Sequence, residues 1–233
     1  MKKLVLFDLD GTLVNAGGAG RTALKKAFEE LYGSCPEFEH SLISGRTDTD
    51  NFTLVYGLLN NGKKPTAAEM KKMTAKYLEL LPIEVHAAVR AKHYDLVPGV
   101  EKFLKLLQKD PDVILALGTG NLEQGARIKL EPSGLNSFFE LGGFGEDGHT
   151  REDMLLAAVK RAEKKYKTTL KPENIYVIGD THRDIVAAKN CGFHSAVITS
   201  GFGDPAKILR AAAELEEKDF KDVSTWCVWL GLK

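Results

Sequence analysis

Asp8 and Asp10 stand two residues apart in Phe7-Asp8-Leu9-Asp10-Gly11-Thr12, directly after the apolar run Leu4-Val5-Leu6-Phe7. On an extended backbone, side chains at that spacing point the same way. The two carboxylates would then project to the same side of the chain. A second acidic pair lies in Gly179-Asp180-Thr181-His182-Arg183-Asp184, after the run Ile175 to Ile178, and the run Val113 to Leu117 leads into Gly118-Thr119-Gly120-Asn121. Carboxylates gathered in one place repel one another unless a hard divalent cation with oxygen ligands sits among them, and magnesium is the expected ion.

These polar groups share a position, the end of a continuous apolar run. Such runs read as strands buried on both faces, as in a parallel sheet, and a fourth is Ser195 to Ile198. Between the runs lie helical stripes at i, i+3, i+4, i+7, namely Val100, Phe103, Leu104, Leu107 and Leu155, Ala158, Val159, Ala162. A further helix is predicted to open at Asp204-Pro205 and to bury Ile208, Leu209, Ala212 and Leu215. Gly142, Gly143, Gly145 and Gly148 read as turn residues. Open parallel sheets bind ligands in the crevice beyond the carboxyl ends of their strands, where the acids fall.

Residues 16–91 differ, with helical periodicity and no convincing buried strand. Leu24, Ala27, Phe28 and Leu31 form one stripe; Thr66 to Glu69 fits a capping box, followed by Met70, Met73, Tyr77 and Leu80. Gly17, Gly18 and Gly20 on one side, and Tyr94 to Gly99 on the other, read as flexible joints. The expected organisation is a core of residues 1–15 and 92–233 with a helical insert over 16–91. The charged tail after Glu214, with Trp226 and Trp229, reads only as packing.

Composition narrows the partners. In 233 residues, Lys plus Arg and Asp plus Glu number 32 each, so no cationic excess exists to hold nucleic acid or an anionic membrane surface. The three cysteines, Cys35, Cys191 and Cys227, are widely spaced with no metal-type pairing, which suits a reducing cytoplasm. The apolar opening run is too short for a signal or membrane segment. The expectation is a cytoplasmic protein, a monomer or homodimer, that binds neither nucleic acid nor membrane.

In order and spacing, the D-x-D-G-T segment, the strand-end Gly-Thr and the G-D-x-x-x-D loop resemble the haloacid dehalogenase-like hydrolase superfamily, in its phosphatase branch with an α-helical cap. The resemblance covers nearly the whole chain. It implies an α/β fold, a Rossmann-like parallel sheet core with an inserted all-helical cap domain. It also implies that Asp8 attacks phosphorus, while Asp10 protonates the leaving oxygen and later activates water. Asp8, the Asp10 backbone carbonyl and Asp180 would hold Mg2+, with Asp184 supporting it directly or through water. Thr119 and the Gly120 amide match the phosphoryl-binding motif, with Asn121 assisting. The third motif is usually a lysine; its best match here is Arg151, a departure because a planar guanidinium grips phosphate differently from an ammonium.

Substrate recognition in this resemblance belongs to the cap. Arg46, in Ser44-Gly45-Arg46-Thr47-Asp48, is a candidate contact to an anionic substrate; an inter-helix turn capped by Thr47 or Asp48 is the other reading. His149 and His182 read as loop residues bordering the site, and Cys191 as inert. The leading function is a phosphatase of a small phosphorylated metabolite, such as phosphoglycolate, a sugar phosphate or a nucleotide. The alternatives are phosphoglucomutase-like transfer and a phospho-acceptor signalling module, the latter having no need of the long helical insert.

Overall fold

The computed structural model describes residues 2–232. The chain opens with β1 (Lys3–Phe7) and β2 (Val14–Ala16), then enters four helices, α1 (Ala19–Tyr32), α2 (His40–Ile43), α3 (Asp48–Leu59) and α4 (Ala67–Arg90). It returns through β3 (Tyr94–Leu96), α5 (Val100–Leu107), β4 (Val113–Gly118), α6 (Glu123–Leu130), β5 (Gly142–Gly143) and α7 (Arg151–Tyr166). The remainder is β6 (Ile175–Gly179), α8 (His182–Asn190), β7 (His194–Ile198), α9 (Pro205–Ala211), β8 (Leu215–Glu217) and α10 (Val223–Trp229).

Six strands form one parallel sheet in the order β5-β4-β1-β6-β7-β8. The chain builds outward from β1 through β4 to β5, then crosses back to place β6 on the other side of β1. The direction of winding therefore changes at β1, and the crevice there opens at the carboxyl ends of β1, β4 and β6. Alternation along the strands covers both faces. Val5, Phe7, Leu115 and Leu117 pack with Phe103, Phe220 and Trp226 on one side. Leu4, Leu6, Ile114 and Ala116 pack with Met154, Leu155 and Ala158 on the other. This is the architecture of a Rossmann-like core.

The insert has a hydrophobic core of its own, built from Leu24, Ala27 and Phe28 of α1, Phe52 and Val55 of α3, and Met73, Tyr77 and Leu81 of α4. Thr66 and Glu69 form the capping box that starts α4. The joints to the core are more ordered than their glycines suggested: Val14–Ala16 pairs antiparallel with Tyr94–Leu96, tying the two crossings together.

Two sequence expectations need correction. Helix α9 is capped by Asp204 and opens on Pro205, but only Ile208 is buried; Leu209 is 72% exposed, Ala212 ends the helix at φ 52°, and Leu215 lies in β8. Gly142 and Gly143 form a strand instead of a turn. A methyl group on Gly143 would lie 1.8 Å from the Met154 carbonyl oxygen, so the glycine is what lets α7 approach this edge. In the tail, the Phe220 ring stacks on Phe103 at 5.1 Å and Trp226 is fully buried, which accounts for the aromatic residues there. No helix among the described residues is long and apolar enough to cross a membrane.

Candidate active site

Asp8 leaves the end of β1, where its N–H donates to the Ile178 carbonyl of β6 at 2.9 Å. Asp180 follows β6, and Asp184 lies in the first turn of α8, where its Oδ2 accepts from the Thr181 N–H at 3.0 Å and hydroxyl at 2.7 Å. The three carboxylates present oxygens within 4.8 Å of one another, and all three are buried. Gly11 is essential to this approach: its φ is 79°, and a methyl group there would lie 2.2 Å from Asp180 Oδ2.

Burial and mutual repulsion govern the charge of this cluster. Burial first, then the Asp184 charge, pushes the Asp8 carboxyl up to about 7, against a partial pull downward from Arg151. Burial, Asp8 and Asp184 likewise hold Asp180 well above the usual carboxylate range. Arg151, the first residue of α7, donates from Nη2 to Asp184 Oδ1 and lies 3.6 Å from Asp8 Oδ1. One guanidinium against three buried acids leaves negative charge uncompensated. An all-oxygen donor set of this kind fits a magnesium ion.

Asp10 occupies a separate environment. Its Oδ2 accepts from Lys129 Nζ at 2.6 Å and from Asn121 Nδ2 at 2.9 Å, while Asn121 Oδ1 accepts from the same ammonium at 2.6 Å. The Asn121 amide also donates to Thr119 Oγ1 at 2.8 Å, linking the strand-end threonine to Asp10. With its lone pairs engaged this way, the Thr119 hydroxyl keeps its own proton for another acceptor.

Lys129 is the residue the sequence reading missed. It is 5% exposed, and although burial pulls its pKa down, Asp10 and Asp48 more than offset this and leave it above the ordinary value. The signal was present on α6, where Ala126, Lys129 and Leu130 place a cation at i, i+3, i+4 spacing within an apolar stripe. A lysine buried there needs carboxylate partners.

The insert closes over this floor. Asp48 donates its N–H to the Gly120 carbonyl at 2.8 Å, and its Oδ2 accepts the Leu122 N–H at 2.9 Å, which satisfies the start of α6 from across the gap. Burial pushes the Asp48 carboxyl up to about 6, with Lys129 opposing. Arg151 Nη1 donates to the Gly45 carbonyl at 3.2 Å. Gly120 admits this contact, since a methyl group there would lie 2.7 Å from the Arg46 carbonyl oxygen. Between the two parts lies a cavity of about 420 Å3 lined by Asp8, Asp10, Thr119, Asn121, Lys129 and Arg151, among others. Arg46 also lines it, its Nε donating to the Leu42 carbonyl at 3.0 Å. His149 and His182 line a neighbouring cavity at the same seam. Burial pushes the Cys191 thiol up to about 11, in keeping with an inert residue.

Residues 5–198 match the model of the haloacid dehalogenase-like hydrolase family. The chain belongs to that family. Among curated relatives, "Probable phosphatase IndB" of Dickeya dadantii is 29% identical over 230 residues, covering 96% of this chain and 92% of its own. A phosphoglycolate phosphatase of Aquifex aeolicus is 26% identical over 204 residues, 86% of each chain. In solved structures the fold recurs in a β-phosphoglucomutase from Clostridium difficile (TM-score 0.76, 14% identity, 99% of this chain and 98% of that one). It also recurs in a predicted phosphatase from Clostridium acetobutylicum (TM-score 0.71, 20% identity, 98% and 99%). As a member of this hydrolase family whose curated relatives are named phosphatases, the chain is an enzyme, a phosphoric monoester hydrolase.

Proposed function

We propose that the enzyme hydrolyses a small phosphomonoester through an aspartyl-phosphate on Asp8, with Mg2+ held by Asp8, the Asp10 backbone carbonyl, Asp180 and, directly or through water, Asp184. The observation that carries this reading is the division of the acids into two environments. Asp8 sits among carboxylates and beside one guanidinium, where a bound cation would keep it ionised and nucleophilic. Asp10 is held apart by Lys129 and Asn121. The cation supplies charge neutralisation for the phosphoryl oxygens and for Asp8.

In the first step an Asp8 carboxylate oxygen forms a bond to phosphorus as the bond to the ester oxygen breaks, and Asp10 delivers a proton to that oxygen. With Oδ2 anchored by Lys129 and Asn121, Oδ1 is the atom that carries the proton. In the second step Asp10 takes a proton from water, which attacks phosphorus and releases phosphate and free Asp8. Thr119, the Gly120 amide and Arg151 bind the phosphoryl oxygens, and Asn121 orients Thr119 and Asp10. Residues 16–91 act as the cap, excluding water from the acyl-phosphate, with Arg46 at its inner surface. The names of the curated relatives favour phosphoglycolate over sugar phosphates and nucleotides.

A panel of phosphomonoesters assayed with Mg2+ beside Asp8→Asn tests this reading. The expected result is release of inorganic phosphate from several esters and a loss of about 10³-fold or more in the variant. Wild-type turnover by Asp8→Asn would overturn the mechanism. Isomerisation dependent on a bisphosphate, without phosphate release, would assign phosphoglucomutase-like transfer instead.

A further inference from the structure

The cavity above Asp8 and Asp10 has room for a leaving group as well as a phosphoryl group, and its upper wall comes from the cap. Two residues of that wall, Arg21 of α1 and Asn51 of α3, carry buried polar atoms that the described residues leave without partners, and Tyr77 of α4 stands beside them. Arg21 donates from Nη2 to the Phe38 carbonyl at 2.8 Å and lies over the Phe38 ring at 5.5 Å, but its Nε–H is buried with no acceptor. No carboxylate among the described residues lies within ion-pairing distance of it. Asn51 Oδ1 is buried without a donor. Tyr77 is 2% exposed and lines the same cavity. The hydroxyl sits beside Gly20, where a methyl group would lie 3.3 Å from Tyr77 Oη and 3.2 Å from Lys129 Nζ.

Buried polar groups are nearly always paired, and two orphans around one cavity point to partners that arrive with the ligand. The other cations at the site are engaged: Lys129 by Asp10 and Asn121, Arg151 by Asp184 and Asp8. Arg46 has no carboxylate within ion-pairing distance among the described residues, but its Nε is satisfied by the Leu42 carbonyl. What sets Arg21 apart is a guanidinium with no carboxylate partner whose Nε–H is also buried without an acceptor, and that edge can donate to a carboxylate. We propose that Arg21 is the specificity-determining residue of this enzyme and selects esters whose leaving group carries a carboxylate, with the Tyr77 hydroxyl donating to the same group and Asn51 Oδ1 accepting from a hydroxyl or water that enters beside it. This rests on the phosphatase reading and assigns the far end of its substrate.

The test compares kcat/KM for 2-phosphoglycolate with that for 2-hydroxyethyl phosphate, an ester of the same length in which a hydroxymethyl group replaces the carboxylate. The wild type favours phosphoglycolate. In Arg21→Gln the ratio of the two values falls by about ten- to hundredfold, mainly through KM, and Arg21→Lys recovers part of it. An unmoved ratio in the folded variant overturns the assignment, as does a wild type with no preference. Should Arg21→Gln fail to fold, inhibition of the wild type decides: glycolate inhibits at least about tenfold more strongly than ethylene glycol, and equal inhibition overturns the assignment. Absence of turnover on any phosphomonoester would refute the phosphatase reading and the Arg21 assignment with it, whereas turnover with an unmoved ratio counts against Arg21 alone.

Discussion

Removing the Asp8 charge should stabilise the cation-free protein. Moving the Asp8 titration from its ordinary 3.8 to about 7 corresponds to about 4 kcal/mol of unfavourable ionisation in the folded state. Because the folded-state value lies above the unfolded one, this cost develops as pH rises from 3.8 toward 7 and is complete above that. Asp8→Asn keeps the shape without the charge. It also forfeits the Arg151 contact at 3.6 Å, which offsets part of the gain. At about 2–4 °C per kcal/mol for a chain of this size, the variant should melt roughly 5–10 °C above the wild type at pH 8 in excess chelator. At pH 5 the wild-type carboxyl holds its proton and the two melting temperatures converge. Saturating Mg2+ should narrow or reverse the gap at pH 8, since binding to the native state stabilises the wild type more. Differential scanning calorimetry at both pH values, with and without Mg2+, measures all of this. A wild type at least as stable as Asp8→Asn at pH 8 in chelator would refute the view that three buried acids are undercompensated by Arg151.

Three further outcomes follow from the same geometry. Lys129→Met should lower kcat by about 10²-fold or more, as Asp10 and Asn121 lose the ammonium that orients them, and steady-state kinetics on any accepted ester reads the change. Arg151→Lys should keep measurable activity but lose about ten- to hundredfold in kcat/KM, since an ammonium cannot reproduce the guanidinium's set of contacts to Asp8, Asp184 and the Gly45 carbonyl. Mg2+ binding should release protons at pH 6 and fewer as the pH rises past the Asp8 value of about 7, because the cation displaces a proton from the Asp8 carboxyl, with the raised Asp180 carboxyl adding to the count; calorimetric titrations in buffers of different ionisation enthalpy count the protons.

Much of the core was legible because its chemistry is tied to strand ends. Asp8, Thr119 and Asp180 each follow an apolar run, and runs long enough to be buried on both faces leave little freedom over where their termini meet. Arg151 could be placed because it opens a strongly patterned helix. What escaped notice lacked a local signature. Lys129 acquires its meaning from Asp10, 119 residues earlier in the chain, and a lone lysine on a helix usually reads as solvated. Gly142–Gly143 offers no side chain to mark a strand, and its pairing is set by how closely α7 must approach. The α9 stripe failed where Ala212 turns left-handed and sends Leu215 into a strand, a tertiary choice that overrides helical spacing. Arg21, Asn51 and Tyr77 lie on three different helices, and only the packing of the cap brings them to one wall.

The central claim is that phosphate passes through Asp8. The most direct measurement mixes enzyme, Mg2+ and a 32P-labelled phosphomonoester, quenches in acid within the first turnover, and maps the protein-bound label. The account predicts label on the peptide that contains Asp8, labile to hydroxylamine, and, with an aryl ester whose leaving group needs no protonation, accumulating further when Asp10→Asn slows the second step. Free phosphate formed at the full rate, with no label on the protein in either enzyme, would contradict it.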